Sequence, residues 1–538
     1  MSTDESASSA APVKADNAAH ERSRIAGRAG IVAAGTLASR VLGLVRDQVI
    51  AAVFGRAVTD AFFVAFALPN VLRQVLAEGA VQSAVLPVLA TTREREGDAA
   101  ARAFFARVRG LSLTLLTIVS ALGVVFAPTL VDLFAVGFHD LPGQYERTVT
   151  LTRWVFPYLF FMGTAALGVA ALNTYQRFTA TAFAPTLLNL SFIAFSLALP
   201  GWLGARGMDP GLALAAAVLV GGLLQVVAQW PSLAKIGFLC RPRFSLADPG
   251  LREVMRRMGP VLLGMGVYYV DVLLARRFLS ELGLGAQSYF SWALRLCDFP
   301  QGIFVMALQT AALPSLSRLA ARGDLSEFSA TFSFGMRLAL FVAIPATALC
   351  VTLSEPLVVL LFQRGAFDAE SAHETARALV AQGSGIWLVA CVRQLVSVYY
   401  ALGDTRTPVK VAAVDLGAFI AAALLLRGPL GHAGVSLAVT LASGVQAGLL
   451  WLGLRRRLED LRTREIFGSL ARIVVAAAGA AAVALGLTSA LRAGGSGAAV
   501  VALSGSGIFA GVYLALAFAL KSPELRLLAP ILRRLRGR

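Results

Sequence analysis

The side chains best suited to chemistry in this chain are arginines, and they stand where apolar residues are expected. Arg40 and Arg46 lie with Asp47 inside an apolar run of about 31–55. Asn70, Arg73 and Glu78 lie inside the next run, about 61–91, and Arg295 opens the eighth together with Asp298 and Pro300. A guanidinium keeps its charge at any physiological pH, and its fork donates paired hydrogen bonds to phosphate oxygens. The chemistry it suits is recognition of a diphosphate-like anion. A charge at mid-membrane costs on the order of 2.5–3.5 kcal/mol even on the lenient insertion scale. Keeping several implies a water-filled cavity for them to face, and an anionic cargo.

The elements that must position these groups are membrane helices. The chain has 538 residues, 57% hydrophobic and only 15% charged, whereas a soluble chain carries about 25% charged residues. About fourteen apolar runs, many near twenty residues long, lie between about 31 and 520. The short alternating segments of a membrane barrel are absent. The expected fold is all-α and polytopic, with about fourteen transmembrane helices. Helix geometry puts Arg40 and Asp47 on one face, two turns apart, with Arg46 about 100° round from Asp47. Asn70 and Arg73 also share a face, and Pro69 should bend or break the helix beside them. Asp298, three residues after Arg295, is placed to pair with it. The competing reading is that the arginines only pair with Asp47, Glu78 and Asp298 and fix helix packing.

The net charge of +17 does not signal a nucleic-acid partner, because the basic residues sit in links between apolar runs. Alternate links are rich in arginine: Arg93, Arg95, Arg102 and Arg107, then Lys235 to Arg257, then Arg455 to Arg464, and finally Arg533 to Arg538. By the positive-inside rule both termini are expected in the cytoplasm. Residues 1–28 lack the apolar core of a signal peptide and are expected to form a disordered cytoplasmic tail.

The chain also repeats itself. Pro128, Phe134 and Gly137 recur at one constant offset as Pro356, Phe362 and Gly365, and Pro87 is echoed at Pro314. This predicts two six-span lobes, 29–240 and 250–458, with residues 459–538 adding spans thirteen and fourteen and a basic end. Transporters place their substrate site between such repeats.

Two acids lie inside the second repeat, Asp271 in the seventh run and Asp415 in the eleventh. With Thr440 in the twelfth they are candidates for an oxygen-rich Na⁺ or H⁺ site. The alternative is that neighbouring groups cap each acid. No phosphate-binding Gly-Lys-Ser/Thr loop occurs, the four histidines are scattered, and the four cysteines lack metal spacing. The expectation is a transporter without catalytic residues, driven by an ion gradient or the membrane potential.

The motifs that carry the arginines are themselves distinctive. Ser-Arg-Val-Leu-Gly-Leu-Val-Arg-Asp (39–47), Asp-Ala-Phe-Phe-Val-Ala-Phe-Ala-Leu-Pro-Asn-Val-Leu-Arg (60–73) and Ala-Glu-Gly-Ala (77–80) strongly resemble the MurJ/MviN family. So do Phe-Pro-Tyr (156–158), Leu-Asn-Thr-Tyr-Gln-Arg-Phe (172–178), Ala-Phe-Ala-Pro-Thr-Leu-Leu-Asn (182–189), Phe-Gln-Arg-Gly-Ala-Phe (362–367) and Thr-Pro-Val-Lys (407–410). These are lipid II flippases of the multidrug/oligosaccharidyl-lipid/polysaccharide exporter superfamily. The resemblance implies two six-helix lobes in a V, plus two extra helices forming a groove for a lipid tail. It implies flipping of lipid II, the undecaprenyl-diphosphate-linked peptidoglycan precursor, across the bacterial cytoplasmic membrane by alternating access. Membrane lipids and cell-wall synthesis proteins are the further partners it suggests. The family's cavity arginines fall on Arg40, Arg46, Arg73 and Arg295, and its polar partners on Asp47, Asp60, Asn70 and Glu78. The acid after the eighth-span arginine is Glu in the family and Asp298 here; the acid often found just before it is Leu294 here. A Na⁺ site in some members matches Asp271 and Asp415.

Three readings stay open at this point: the lipid II flippase, a sister exporter of another polyprenyl-diphosphate oligosaccharide or of cationic drugs, and a non-transporting scaffold. A drug extruder should show an acidic, aromatic cavity. A scaffold should tolerate loss of its intramembrane charges.

Overall fold

The computed structural model describes residues 10–75, 82–244, 249–458 and 460–525, and within them it is helical with no strand. In chain order the helices are α1 (Ala10–Val53), α2 (Arg56–Leu72), α3 (Gln82–Val125), α4 (Ala127–Phe134), α5 (Gln144–Val155), α6 (Tyr158–Thr174), α7 (Thr179–Ala198), α8 (Pro200–Gly204), α9 (Leu212–Lys235) and α10 (Pro249–Ser280). There follow α11 (Ala286–Pro300), α12 (Met306–Arg322), α13 (Leu325–Thr352), α14 (Ser354–Phe362), α15 (Ala369–Gly383), α16 (Ile386–Ala401), α17 (Arg406–Leu430), α18 (His432–Arg455), α19 (Thr463–Ala493) and α20 (Ala498–Ala519).

Ten helical segments among the described residues are long and apolar enough to cross a membrane, fewer than the fourteen expected. The other four expected spans lie on helices that are short or only partly described. They comprise α1, the short α2, α10, and α11 with α12. A second difference is at the start. Residues 10–28, expected as a disordered tail, continue α1 as helix. Five alanines between positions 10 and 19 favour that state, since alanine loses least on entering a helix. Glu78 lies outside the described residues.

Contacts divide the chain into two compact units. The first comprises residues 1–50, 65–128 and 149–265, the second 51–64, 129–148 and 266–538. In the first, Leu89, Phe104 and Phe105 of α3 pack with Leu167 and Ala171 of α6, Leu233 of α9 and Phe238. Glycines bring α1 and α7 together: a Cβ on Gly35 would lie 2.5 Å from the Ala182 carbonyl oxygen. Leu37, Val41 and Val45 of α1, spaced four apart, are exposed, as a hydrocarbon-facing stripe requires.

In the second unit Phe328, Phe332, Met336 and Leu340 form one buried face of α13 at four-residue spacing. Against it lies a seam of small residues on α19: Ala476, Ala477, Ala480, Ala481 and Ala484. Small side chains let helices approach closely where lipid gives no hydrophobic drive between them. Tyr513 of α20 closes this layer by donating to the Phe341 carbonyl at 2.8 Å.

The sequence repeat acquires a physical meaning here. Its two proline-to-phenylalanine segments are the short helices α4 and α14. Its two glycines are both sites of backbone contact. A Cβ on Gly137 would meet the Ser280 carbonyl oxygen at 2.3 Å, and one on Gly365 would meet that of Ala52 at 2.2 Å. Such contacts, with the bond from Gln144 Nε2 to the Ala57 carbonyl at 2.8 Å, are why 51–64 and 129–148 belong to the second unit.

Candidate functional site

In the first unit the site is built on α1. Arg46 Nε and Nη2 both donate to Oδ1 of the adjacent Asp47, at 2.9 and 2.7 Å. Its Nη1 donates to Asn189 Oδ1 at 3.1 Å, and the guanidinium lies 5.4 Å from the Phe192 ring centroid. Asn189 in turn donates from Nδ2 to the Ser39 carbonyl at 2.9 Å, so α7 fixes both the backbone of α1 and the arginine it carries. Asp47 is buried, while Arg46 and Arg40 are half-buried. Arg40 lies two turns from Asp47, as expected from the spacing.

Arg73 Nε and Nη2 both donate to Asn70 Oδ1 at 3.1 Å. Pro69 does not break α2, which runs through it to Leu72. The widening comes one turn later, as a π turn over 73–75 that contains Arg73. Proline removes one helical donor, and π turns recur at functional positions.

In the second unit Arg295 and Asp298 are both exposed on α11, which passes into a π-helical stretch at Gln301–Val305. Asp60 is placed differently from what the motif implied. It has no exposed surface, and its carboxylate caps the start of α11. Oδ2 accepts from Gly285 N at 2.6 Å; Oδ1 accepts from Ser288 N at 2.8 Å and Ser288 Oγ at 2.5 Å. An anion is favoured at a helix N-terminus, where backbone N–H groups lack partners. In this conformation all of the Asp60 bonds run to the start of α11.

Beneath this cap lies a residue that sequence reasoning missed. Arg276 is buried, with Nη1 donating to Gln287 Oε1 at 3.1 Å and Ser291 Oγ at 2.7 Å. Its guanidinium carbon is 6.0 Å from the Phe63 ring centroid and 5.7 Å from that of Phe290, within electrostatic reach of Asp60 and Arg295. Its signal was visible as an arginine inside the seventh apolar run. Arg337 of α13 was missed in the same way. It stands 3.7 Å from Glu465 and 3.7 Å from the buried Glu524, which accepts from Ser469 Oγ at 2.7 Å. Arg393 was missed too; it sits half-buried in the middle of α16 with no carboxylate partner among the described residues.

The carboxyl groups of Asp271 on α10 and Asp415 on α17 meet within hydrogen-bond reach. Oδ1 of each is buried without a partner. Two carboxylates in contact need one positive charge between them. Thr440 is not joined to this pair. Its hydroxyl donates to the Ala381 carbonyl at 2.8 Å and packs on Gly385. The reason is depth: α17 and α18 turn at Gly431, so Thr440 stands about 13 Å along one helix and Asp415 about 24 Å along the other. Among the described residues no three His, Cys, Asp or Glu side chains form a metal-binding group. Asp271 and Asp415 are thus the two members of the expected cation site that the structure brings together.

Many helices long and apolar enough to cross a membrane, charged side chains among them and an internal repeat are the features of a polytopic transporter. Solved structures agree on the fold. The chain superposes on an inward closed lipid II flippase MurJ with a TM-score of 0.73 at 20% identity, covering 90% of this chain and 97% of that one. It also superposes on an inward-facing multidrug resistance MATE family transporter of the MOP superfamily, with a TM-score of 0.66 at 14% identity over 79% of this chain and 96% of that one. The particular family follows from sequence. Residues 50–503 match the family model "Lipid II flippase MurJ", and the chain belongs to that family. A lipid II flippase MurJ of Burkholderia cenocepacia is 36% identical over 78% of this chain and 82% of its own. A probable lipid II flippase MurJ of Vibrio cholerae is 34% identical over 83% and 86%.

Proposed function

We propose that this protein carries lipid II from the inner to the outer leaflet of the bacterial cytoplasmic membrane by alternating access, supplying cell-wall synthesis. The observation that carries the reading is Arg46, a guanidinium inside the first expected span, oriented by Asp47 and Asn189, in a chain of the lipid II flippase family. The residues we assign to the diphosphate are Arg40, Arg46, Arg73 and Arg295. Asn70 and Asp47 hold Arg73 and Arg46 in their rotamers, and Asp298 attends Arg295. A fixed fork loses less entropy on meeting a phosphate than a free one. Glu78 joins them on the strength of the motif alone. Both termini face the cytoplasm, α19 and α20 guide the lipid tail, and the outer-leaflet product passes to cell-wall synthesis proteins. Asp271 and Asp415 hold one H⁺ or Na⁺, whose binding and release, with the membrane potential, reset the carrier.

The test is made in a bacterium depleted of its own lipid II flippase. Lipid II exposed on the outer leaflet is quantified with this protein and with Arg46→Ala at matched abundance. Restoration by the parent and loss with the variant are expected. No restoration by a well-inserted parent would shift the substrate to another polyprenyl-diphosphate oligosaccharide. Equal restoration by both would remove Arg46 from the mechanism.

A further inference from the structure

The Thr-Pro-Val-Lys run at 407–410 takes no part in the arginine or carboxylate clusters. It opens α17, and beside it lies an open hollow of about 430 Å³ lined by Gly403, Asp404, Arg406, Thr407, Lys410 and Arg457. The corner is firmly built. Gly403 takes φ +76°, and Asp404 Oδ1 accepts from the amides of Arg406 and Thr407, both at 2.9 Å. Asp404 Oδ2 accepts from the Thr407 hydroxyl at 2.6 Å. Arg457, just beyond the end of α18, reaches across to Asp404 Oδ2 at 2.6 Å and Thr407 Oγ1 at 3.3 Å, with its guanidinium 5.4 Å from the Tyr399 ring centroid.

The free amides of the helix start and the one carboxylate of the hollow are thus already engaged, and the helix terminus itself is not offered to a ligand. Two side chains are left over. Arg406 and Lys410 stand four apart on the first turn of α17, both exposed, and neither side chain has a hydrogen bond or ion pair among the described residues. Partial burial works to raise the Asp404 carboxyl, but Thr407 and Arg457 overcome it and hold it down at about 2, so the acid is ionised at neutral pH. Three cations against one anion leave the hollow at +2.

We propose that this hollow binds the phosphate of an anionic phospholipid headgroup in the leaflet that borders the arginine-rich links. The case for a lipid over a free phosphate is the surface next to it. Only 17% of the apolar window of α17 is buried, the lowest share of the ten candidate spans. Val414, one turn beyond Lys410, is exposed, as are Val409 and Tyr400 at the rim. A phosphate held by Arg406, Lys410 and Arg457 would therefore have its acyl chains led onto an apolar helix face. Anionic headgroups are drawn to such clusters near the membrane surface.

The experiment titrates purified full-length protein with phosphatidylglycerol and, separately, phosphatidylcholine, counting retained lipid by native mass spectrometry. The variant is Arg406→Gln/Lys410→Gln, and the control is Arg318→Gln/Arg322→Gln, an equally spaced exposed pair on α12. Each basic residue near an anionic surface contributes a factor of about 5, so the variant should bind phosphatidylglycerol roughly 30-fold more weakly, with the control and phosphatidylcholine unchanged. A photoreactive phosphatidylglycerol should also cross-link to residues 402–410 of the unaltered protein, a readout that does not depend on the variant's folding. Equal affinity of parent and variant, or cross-links elsewhere only, would overturn the proposal. Inorganic phosphate that binds alone and displaces the lipid would overturn the lipid source and leave a free-anion site.

Discussion

Replacing Asp60 by asparagine tests the capping role most directly. The carboxylate accepts two backbone N–H groups and one hydroxyl at the start of α11. Asparagine keeps one acceptor oxygen and turns an N–H toward the remaining donor. A bond to a charged acceptor contributes about 1.5–3 kcal/mol, and a buried donor left without a partner costs about 1–3 kcal/mol. Arg276, buried nearby, also loses an opposite charge. The expected loss is about 3–5 kcal/mol, read as a lower denaturant midpoint of the purified protein in micelles. Ser288→Ala, which removes only the hydroxyl bonds to Asp60 and to Thr59 at 2.6 Å, should lose about 1–2 kcal/mol. Combining Asp60→Asn with Arg276→Gln should lose less than the sum of the two, by at least about 1 kcal/mol, because the uncompensated cation is gone. An Asp60→Asn protein within about 0.5 kcal/mol of the parent would refute the reasoning, as would strict additivity.

Three other outcomes follow from the geometry. Asn189→Leu removes the bonds to Arg46 and to the Ser39 carbonyl, about 1–2 kcal/mol of orientation, and should lower outer-leaflet lipid II about tenfold at normal abundance; an unchanged level would sever Asn189 from the site. Asp271→Asn, which leaves Asp415 as the one acid of the pair, should abolish the dependence of transport on the coupling ion while the protein still inserts; transport in vesicles with imposed Na⁺ or proton gradients distinguishes the two ions, and an unaltered dependence would count against the pair. Asp404 is held at about 2, below its unfolded value near 3.9, so the stability it lends is present above about pH 4 and lost as pH falls toward 2. In acid titrations of thermal stability, Asp404→Asn should flatten that limb, and a limb identical to the parent's would show that Asp404 contributes nothing there.

Much of the helical fold was legible because apolar runs of about twenty residues have few alternatives in a membrane. The arginines of the site were visible as misplaced charges, and the Asn70–Arg73 pair followed from a three-residue spacing. Partners distant in sequence were not visible. Nothing in the local pattern announces that Asp60 caps a helix 225 residues away, or that Asn189 orients Arg46. Thr440 was grouped with Asp415 because both are polar and intramembrane, yet a helical hairpin sets them at different depths. Gly137 and Gly365 gave the repeat away, but only the backbone contacts explain why they are glycines.

The ion pairs of Arg337 have a consequence in time. Its two carboxylates lie 128 and 187 residues further along the chain, at Glu465 and Glu524. At the usual pace of synthesis, about 5–20 residues per second, α13 is made roughly 6–40 s before either acid can reach it. For that interval a half-buried arginine waits in a new span without the carboxylates that later neutralise it. The nascent helix must be held at a watery interface or by the insertion machinery until α19 arrives, so late synthesis and the settling of α13 are a single event.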